Sequence, residues 1–195
     1  MKKIDYNYKE RIENFIFNNN WIEPPLYYNN MGKTLRFDLE SKSEKESILL
    51  IKNIFNDIFF ENSKMFIIFY GSKYVHWQKG KKYIKFFKFK KILKKKFVSK
   101  NDDYDIEDLN YVVVGMIRTK NFKFNHYIKD YLEDEQTCQI ALISLKKGVA
   151  LNLYDSRGFD VLSLDKDFLK MLFKKYEKDI IEYNKKEIVE FLNIE

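Results

Sequence analysis

The chain has 195 residues, of which 45% are apolar and 17% aromatic. This length and apolar content suffice for one domain with a sizeable core, and they exclude a largely disordered chain. The formal charge of +7 favours encounter with acidic molecules, but a net charge does not identify a ligand.

Three features predict a soluble cytoplasmic protein. The only cysteine, Cys138, cannot form an intramolecular disulfide, which agrees with a reducing compartment. The N-terminal residues are charged and lack the apolar stretch of a secretory signal. Apolar runs such as residues 65–70 fall far short of the ~18 residues that a membrane helix requires. We therefore expect cytoplasmic localisation and no membrane contact.

Two helices are predicted in the first sixty residues. Asn7 with Glu10 is a plausible cap for a helix that continues to about Phe17. Ser43 and Glu46 form the S-x-x-E pattern of a capping box. The apolar residues of this second helix recur at helical spacing: Ile48, Ile51, Phe55 and Ile58.

Six segments have strand patterns. In residues 34–40 apolar side chains alternate with Arg36, Asp38 and Glu40, which predicts a half-buried strand with the charges outward. The other segments are short apolar runs: residues 64–71, 109–118, 137–145, 149–155 and 159–164. The last three are joined by tight turns that we place at Gly148 and Gly158.

Further helices are predicted in the C-terminal half. A short one falls near residues 125–135. Asp165 can cap a helix that carries Phe168, Leu172 and Phe173, and Asn184 with Glu187 can cap the last one. The last helix carries three apolar residues: Ile188, Phe191 and Leu192. The order of elements predicts a single α+β domain, residues 1–195, with a largely antiparallel mixed sheet packed by N-terminal and C-terminal helices.

A lysine-rich segment, residues 79–100, interleaves lysines with aromatic rings, as proteins that bind single-stranded nucleic acid do. Its candidate contacts are Phe87, Lys88, Lys90, Lys91, Lys94 and Lys95. In the alternative interpretation, helical spacing of the apolar residues Phe86, Phe89, Leu93 and Phe97 would bury the rings and leave a solvated or protein-docking basic face. The segment contains no arginine, and an acidic segment, residues 102–108, follows it.

Signatures of nucleotide and metal binding are incomplete. Gly32-Lys33-Thr34 resembles the end of a P-loop, but Tyr27 stands where the first glycine is required and a strand pattern follows. The potential soft-metal ligands, His76, His126 and Cys138, lack the spacing of a zinc site. We expect no metal and no cofactor.

Residues 154–160, Tyr-Asp-Ser-Arg-Gly-Phe-Asp, have the chemistry of a hairpin turn, in which glycine would take the left-handed conformation. A hydrolase would instead use Asp155 and Asp160 as a carboxylate pair. Arg157 opposes this, because a nearby cation favours the ionised form of both groups. We predict a structural turn at the sheet rim that also contacts a partner. The predicted partner-binding residues are Tyr154, Asp155, Arg157, Asp160 and Trp77.

Residues 151–188 resemble the C-terminal part of an uncharacterised bacterial family, domain of unknown function 3885, with its Tyr-Asp-Asp-Arg-Gly-hydrophobic-Asp pattern. Residues 25–40 are similar to its N-terminal segment, with Pro-Leu-aromatic-Tyr followed by Arg-Phe-Glu-Leu. Ser156 stands where the family often has its second aspartate. The resemblance implies one small, soluble bacterial domain and carries over no catalytic residue.

The leading hypothesis is a non-enzymatic protein-binding domain, in a narrower form an immunity protein that neutralises a bacterial toxin by direct binding. It follows from a compact, charged, aromatic-rich chain with no recognisable catalytic signature. The alternatives are nucleic-acid binding through residues 79–100 and hydrolysis by Asp155 and Asp160.

Overall fold

The structure is a computed structural model, and it describes residues 6–17, 32–59, 63–72, 90–101, 106–133 and 140–194. Several sequence predictions fall outside these ranges. They concern Trp77, Phe87, Lys88 and the acidic residues 102–105.

Five α-helices occur among the described residues: α1 (Tyr6–Phe17), α2 (Glu44–Ile58), α3 (Phe124–Glu133), α4 (Lys166–Tyr176) and α5 (Glu182–Leu192). Short 3-10 turns, Thr119–Asn121 and Glu177–Asp179, precede α3 and α5. The predicted capping box of α2 is confirmed. The Ser43 side chain accepts a hydrogen bond from the Glu46 backbone N–H, and the Glu46 carboxylate accepts one from the Ser43 backbone N–H. The Asp165 cap of α4 is confirmed as well.

Two predicted caps are wrong. Asn7 is the second residue of α1, so it is not the residue that precedes the helix. Helix α5 begins at Glu182, before Asn184, and its N-cap residue Ile181 makes no side-chain cap. The reason is tertiary: the Ile181 N–H donates to the Arg36 carbonyl at 3.0 Å, which fixes the chain just before α5.

Seven strands form one sheet in the described part of the chain: β1 (Thr34–Asp38), β2 (Lys64–Ser72), β3 (Lys90–Asn101), β4 (Ile106–Arg118), β5 (Ile140–Ser144), β6 (Val149–Asp155) and β7 (Gly158–Ser163). Their order across the sheet is β1-β7-β6-β5-β2-β4-β3, and all six neighbouring pairs are antiparallel. The predicted α+β class with a largely antiparallel sheet is confirmed.

Both faces of the sheet are covered. Helices α2 to α5 pack on one face in the larger apolar cluster, which includes Phe37, Phe159 and Leu172. Helix α1 packs on the other face. The buried residues of that second cluster are Ile12, Phe15, Ile16, Phe66, Ile68, Val114, Ala141, Ile143, Ala150 and Leu162. Burial on both faces explains why the strands of the centre read as continuous apolar runs.

The helical interpretation of the lysine-rich segment is wrong for residues 90–101, which form strand β3. This strand pairs with β4 from Lys90 opposite Met116 to Asn101 opposite Ile106, with an irregularity between Lys91 and Leu93. The few apolar residues of this lysine-rich segment do not distinguish helical from strand periodicity, and pairing with the valine-rich β4 makes it a strand.

Candidate functional site

The two segments that carry the family resemblance become neighbouring strands. Strand β1 pairs with β7 so that Arg36 lies opposite Asp160 and Phe37 opposite Phe159. The Leu39 N–H donates to the Arg157 carbonyl at 2.8 Å and extends the contact beyond the strands. Residues that are 124 positions apart therefore form one structural unit.

Arg36 and Asp160 form a buried ion pair inside this unit. The Arg36 Nε donates to the Asp160 Oδ1 at 3.2 Å. Arg36 is 5% exposed and Asp160 is 0% exposed. The prediction that β1 is half-buried with Arg36 outward is wrong, because β1 is covered on both faces and Arg36 has a partner on β7. Removing one member of such a pair leaves an uncompensated buried charge.

Asn152 continues the polar row onto a third strand. It lies opposite Asp160 on one side and opposite Ala141 on the other. Its Nδ2 donates to the Ile140 carbonyl at 3.2 Å, and its Oδ1 accepts no hydrogen bond from the residues that the structure describes. We call Arg36, Asp160 and Asn152 the buried polar row; it lies on the sheet face that α1 covers. In the sequence, the sign of this buried polar row is a single asparagine, Asn152, inside the apolar run 149–153.

The hairpin prediction for residues 154–160 is confirmed in outline. Asp155 pairs with Gly158, so Ser156 and Arg157 form the connection between β6 and β7. The left-handed conformation predicted for Gly158 is wrong. The described residues with positive φ are Gly32, Gly148 and Asn193. Gly158 instead begins β7, where its carbonyl accepts a 2.8 Å hydrogen bond from the buried Tyr131 hydroxyl.

The predicted partner-binding residues that the structure describes do not form one exposed surface. Arg157 is exposed at the hairpin tip, and the backbone of Tyr154 and Asp155 lies at the end of β6. Asp160 lies inside, opposite Asn152 rather than opposite Asp155. A carboxylate with no exposed surface cannot touch a partner or a substrate while the sheet is intact. The geometry thus favours a structural role for Asp160.

The lysine candidates that the structure describes are spread along β3. Lys90, Lys91, Lys94 and Lys95 are residues of this strand, and β3 is the outermost described strand beside β4. Adjacent strand residues belong to opposite faces, so the positions of Lys94 and Lys95 do not share one face. Further along, Lys100 lies opposite Glu107, which places part of the acidic segment beside the basic one.

An exposed apolar surface lies at the opposite end of β7 from the hairpin. Leu164 is 51% exposed and Phe191 is 41% exposed. The Lys166 Nζ lies 5.0 Å from the centre of the Phe191 ring. The Ser163 N–H donates to the Lys33 carbonyl, and Gly32 lies against Phe191. We call this set the Leu164–Phe191 surface. Of the three apolar residues of α5 noted in the sequence, Ile188 and Leu192 are buried and Phe191 is exposed.

Glycine is required at position 32. Its φ of 81° is a left-handed conformation that side-chain-bearing residues rarely adopt, and a Cβ there would lie 2.5 Å from the Phe191 ring. The Gly32-Lys33-Thr34 segment, which resembles the end of a P-loop, therefore forms a turn into β1, and Gly32 leaves room for the Phe191 ring.

A polar clamp joins the end of α2 to α4. Lys175 Nζ lies 2.9 and 2.7 Å from the two carboxylate oxygens of Asp57, and the Tyr176 hydroxyl donates to Asp57 at 2.6 Å. Lys147 donates to the Asp57 carbonyl. Hydrogen bonding to Asp57 raises the pKa of Lys175, whereas burial lowers the pKa of Lys147. Burial, and then the bond to Asp57, raise the pKa of Tyr176 to about 12.

This clamp predicts a loss of stability in alkali. A phenol that ionises near pH 10 in the unfolded chain and near 12 in the folded one stabilises fully below pH 10 and loses that contribution as the pH rises to about 12. Wild type should therefore lose more unfolding free energy between pH 8 and pH 11 than Tyr176→Phe, measured by urea denaturation. Equal losses would contradict the clamp. The lowered pKa of Lys147 acts in the opposite direction in both proteins and cancels from the comparison.

No group of three or more His, Cys, Asp or Glu residues placed to hold a metal occurs in the described ranges. Among the helices that the structure describes, none has both the length and the apolar content to cross a membrane.

These observations define an α+β domain whose antiparallel sheet contains a structural polar row and whose described surface carries an exposed apolar site. The family model for Domain of unknown function (DUF3885) matches residues 12–184, nearly the whole chain. The chain belongs to this family, as the sequence resemblance predicted. Searches of curated proteins and of solved structures gave no match.

Proposed function

We propose that this chain is a non-enzymatic protein-binding domain that contacts its partner through the Leu164–Phe191 surface. The observation that carries the proposal is that Leu164 and Phe191 are both exposed, and that the Nζ of Lys166, two residues after Leu164, lies 5.0 Å from the centre of the Phe191 ring. Gly32 lies against the Phe191 ring, and the Lys166 ammonium lies over it. Fixed, exposed aromatic residues are the type of group that contributes most to the free energy of protein association.

The charges around this surface also support a protein partner. Lys33, next to Gly32, is exposed and Lys166 is half-buried, while Asp165 and Asp167, which flank Lys166 in the chain, are exposed. A polar rim with both signs of charge around an apolar centre is typical of protein interfaces. Nucleic acid, whose affinity comes mainly from neutralised phosphates, would favour a surface where cations predominate.

The sequence predicted partner contacts at the hairpin tip around Arg157. This tip is separate from the Leu164–Phe191 surface. Gly158 and Ser163 are the two ends of β7, roughly 17 Å apart at the usual rise of a strand. A partner contact at Arg157 and one at Phe191 can therefore be distinguished by substitution.

The test is capture of partners with the tagged chain in its native host, with a wash at about 0.5 M salt to screen exposed charge contacts. Four variants are compared with wild type: Leu164→Ser, Phe191→Ser, Arg157→Ser and Leu49→Ser. Leu49 is the matched control, because it is 58% exposed on α2 and lies outside the proposed surface. Purified partner is then titrated by calorimetry.

Each substitution in the surface should weaken binding by about 30-fold, the ratio that corresponds to a ~2 kcal/mol contact. Leu49→Ser and Arg157→Ser should bind like wild type. Loss of binding with Arg157→Ser alone would move the contact to the hairpin. A partner bound equally by all four variants would overturn the proposed surface.

The narrower proposal is that the partner is a toxin that this chain neutralises. Expression of the captured protein alone should then arrest growth, and coexpression of wild type should restore it. Phe191→Ser should fail to restore growth while remaining folded. A captured protein that is harmless to cells would remove the toxin interpretation and leave the binding surface in place.

Nucleic-acid binding is the second candidate, because β3 concentrates six lysines in twelve residues. It requires nucleic acid that copurifies and is released by salt. Lys90→Gln, Lys91→Gln, Lys94→Gln and Lys95→Gln together should abolish it. Affinity that is insensitive to salt would exclude this candidate.

A further inference from the structure

An open cleft of about 460 Å³ lies between α2 and the segment that leads into α3. It lies apart from the Leu164–Phe191 surface and from the buried polar row. Its wall on the α2 side includes Phe55, and its other wall includes Phe122 and Phe124. Neither the proposed partner contact nor the clamp at Asp57 uses these residues.

Three phenylalanine rings form the apolar part of the cleft. Phe55 lies 4.7 Å from Phe124 and 5.9 Å from Phe122 between ring centres, and Phe122 lies 6.3 Å from Phe124. Phe55 and Phe122 are buried and Phe124 is half-buried. The rings are therefore held by mutual packing, and a further planar ring can join the cluster at the separations that aromatic pairs prefer.

Cations and amides form the polar part. Lys52 and Asn56 are exposed four residues apart on α2, so they lie on the same face of that helix. Lys123 and His126 are exposed on the opposite side of the cleft. Ammonium groups and side-chain amides donate hydrogen bonds, and the ammonium groups add positive charge. The polar part thus matches a carboxylate, sulfonate or phosphate group.

We propose that this cleft binds a small organic anion that carries an aromatic ring, with the ring against Phe124 and Phe55 and the anionic group beside Lys52 and Lys123. The ring supplies apolar contact and the anion supplies selectivity. The site is built on α2 and on the segment that leads into the first turn of α3, and the three phenylalanine rings pack these two walls together, so the site is preformed rather than assembled on binding.

The test uses 2-naphthoate as the probe and 2-naphthamide as its neutral analogue of the same shape, each titrated against the full chain by calorimetry or by NMR shifts of isotope-labelled protein. The site predicts saturable one-to-one binding of 2-naphthoate and binding of 2-naphthamide that is about fivefold weaker or more. Equal affinity for both probes, or no saturable binding of 2-naphthoate, would overturn the proposal.

Substitutions locate the site. Lys52→Gln and Lys123→Gln should each weaken 2-naphthoate about fivefold and leave 2-naphthamide unchanged. Phe124→Leu keeps apolar packing but removes the ring, so it should weaken both probes. Lys45→Gln and Lys120→Gln are the matched controls, being exposed lysines of α2 and of the 3-10 turn before α3 that do not line the cleft.

The control variants distinguish binding in this cleft from attraction of the probe by the net positive charge of the chain. Equal weakening by Lys45→Gln and Lys52→Gln would mean that net charge, rather than this cleft, attracts the probe, and would overturn the proposal. All four lysines are exposed, so these variants should fold, and unchanged thermal unfolding confirms that they do. Wild-type affinity in both Lys52→Gln and Lys123→Gln would place the probe elsewhere.

Discussion

Replacing Asp160 with alanine is expected to lower the free energy of unfolding by about 3–5 kcal/mol, the usual cost of breaking a buried ion pair from one side. The cause is Arg36, which is 5% exposed in wild type and would lose the carboxylate that accepts from its Nε at 3.2 Å. Urea denaturation at neutral pH measures the change. Asp167→Asn, an exposed aspartate of α4, is the control and should change stability by less than about 0.5 kcal/mol.

A double variant separates the pair from the packing around it. Arg36→Met with Asp160→Leu removes both charges and keeps most of the volume, so it should recover most of the stability that Asp160→Ala loses. A loss from Asp160→Ala no larger than that from Asp167→Asn would contradict a structural role for the pair.

Replacing Phe37 with alanine should also cost about 3–5 kcal/mol, since it removes a large ring from a close-packed site. Phe37 has no exposed surface. Its ring stacks on Phe159 of β7 at 4.9 Å and meets the edge of Tyr176 of α4 at 6.3 Å. The Phe37 backbone also bridges to Ile180 just before α5. The Phe37 side chain thus joins β1 to β7 and α4, and its backbone joins β1 to the segment before α5.

Phe191→Ala is the matched comparison for this second prediction. It makes the same truncation at a ring that is 41% exposed, so its effect on unfolding should be clearly smaller. Similar losses at the two positions would mean that Phe37 does not hold the core as the packing indicates. The free energies of unfolding of Phe37→Ala and Phe191→Ala are measured by urea denaturation under the same conditions as those of the Asp160 variants.

Local signals in the sequence predicted much of the fold. Ser43 with Glu46, and Asp165, start helices where the pattern places them, because a cap depends on residues within one turn. The predicted apolar runs became strands, and short connections explain the antiparallel pairing of β5 with β6 and of β6 with β7. What failed depended on contacts outside the segment itself. The start of α5 is set by distant β1, and strand β3 is set by pairing with the next strand, β4.

The buried polar row was also not predicted from the sequence, because its residues come together only through strand pairing. Alternation placed Arg36 on an outer face, but Arg36 is buried and its partner Asp160 is 124 residues away, where no local pattern can reveal it. The two aspartates of the hairpin looked equivalent in sequence, whereas the ladder pairs Asp155 with Gly158 and Asp160 with Asn152. Phe191 fitted the apolar stripe of α5, yet it lies at the edge of that stripe.

The central claim is that the motif residues hold the fold and the Leu164–Phe191 surface binds the partner. The most direct test compares partner affinity for two folded variants, Arg36→Met/Asp160→Leu and Leu164→Ser/Phe191→Ser, by calorimetry. We predict wild-type affinity for the first and a loss of about 100-fold or more for the second. Lost binding in the first variant with wild-type affinity in the second would contradict the claim.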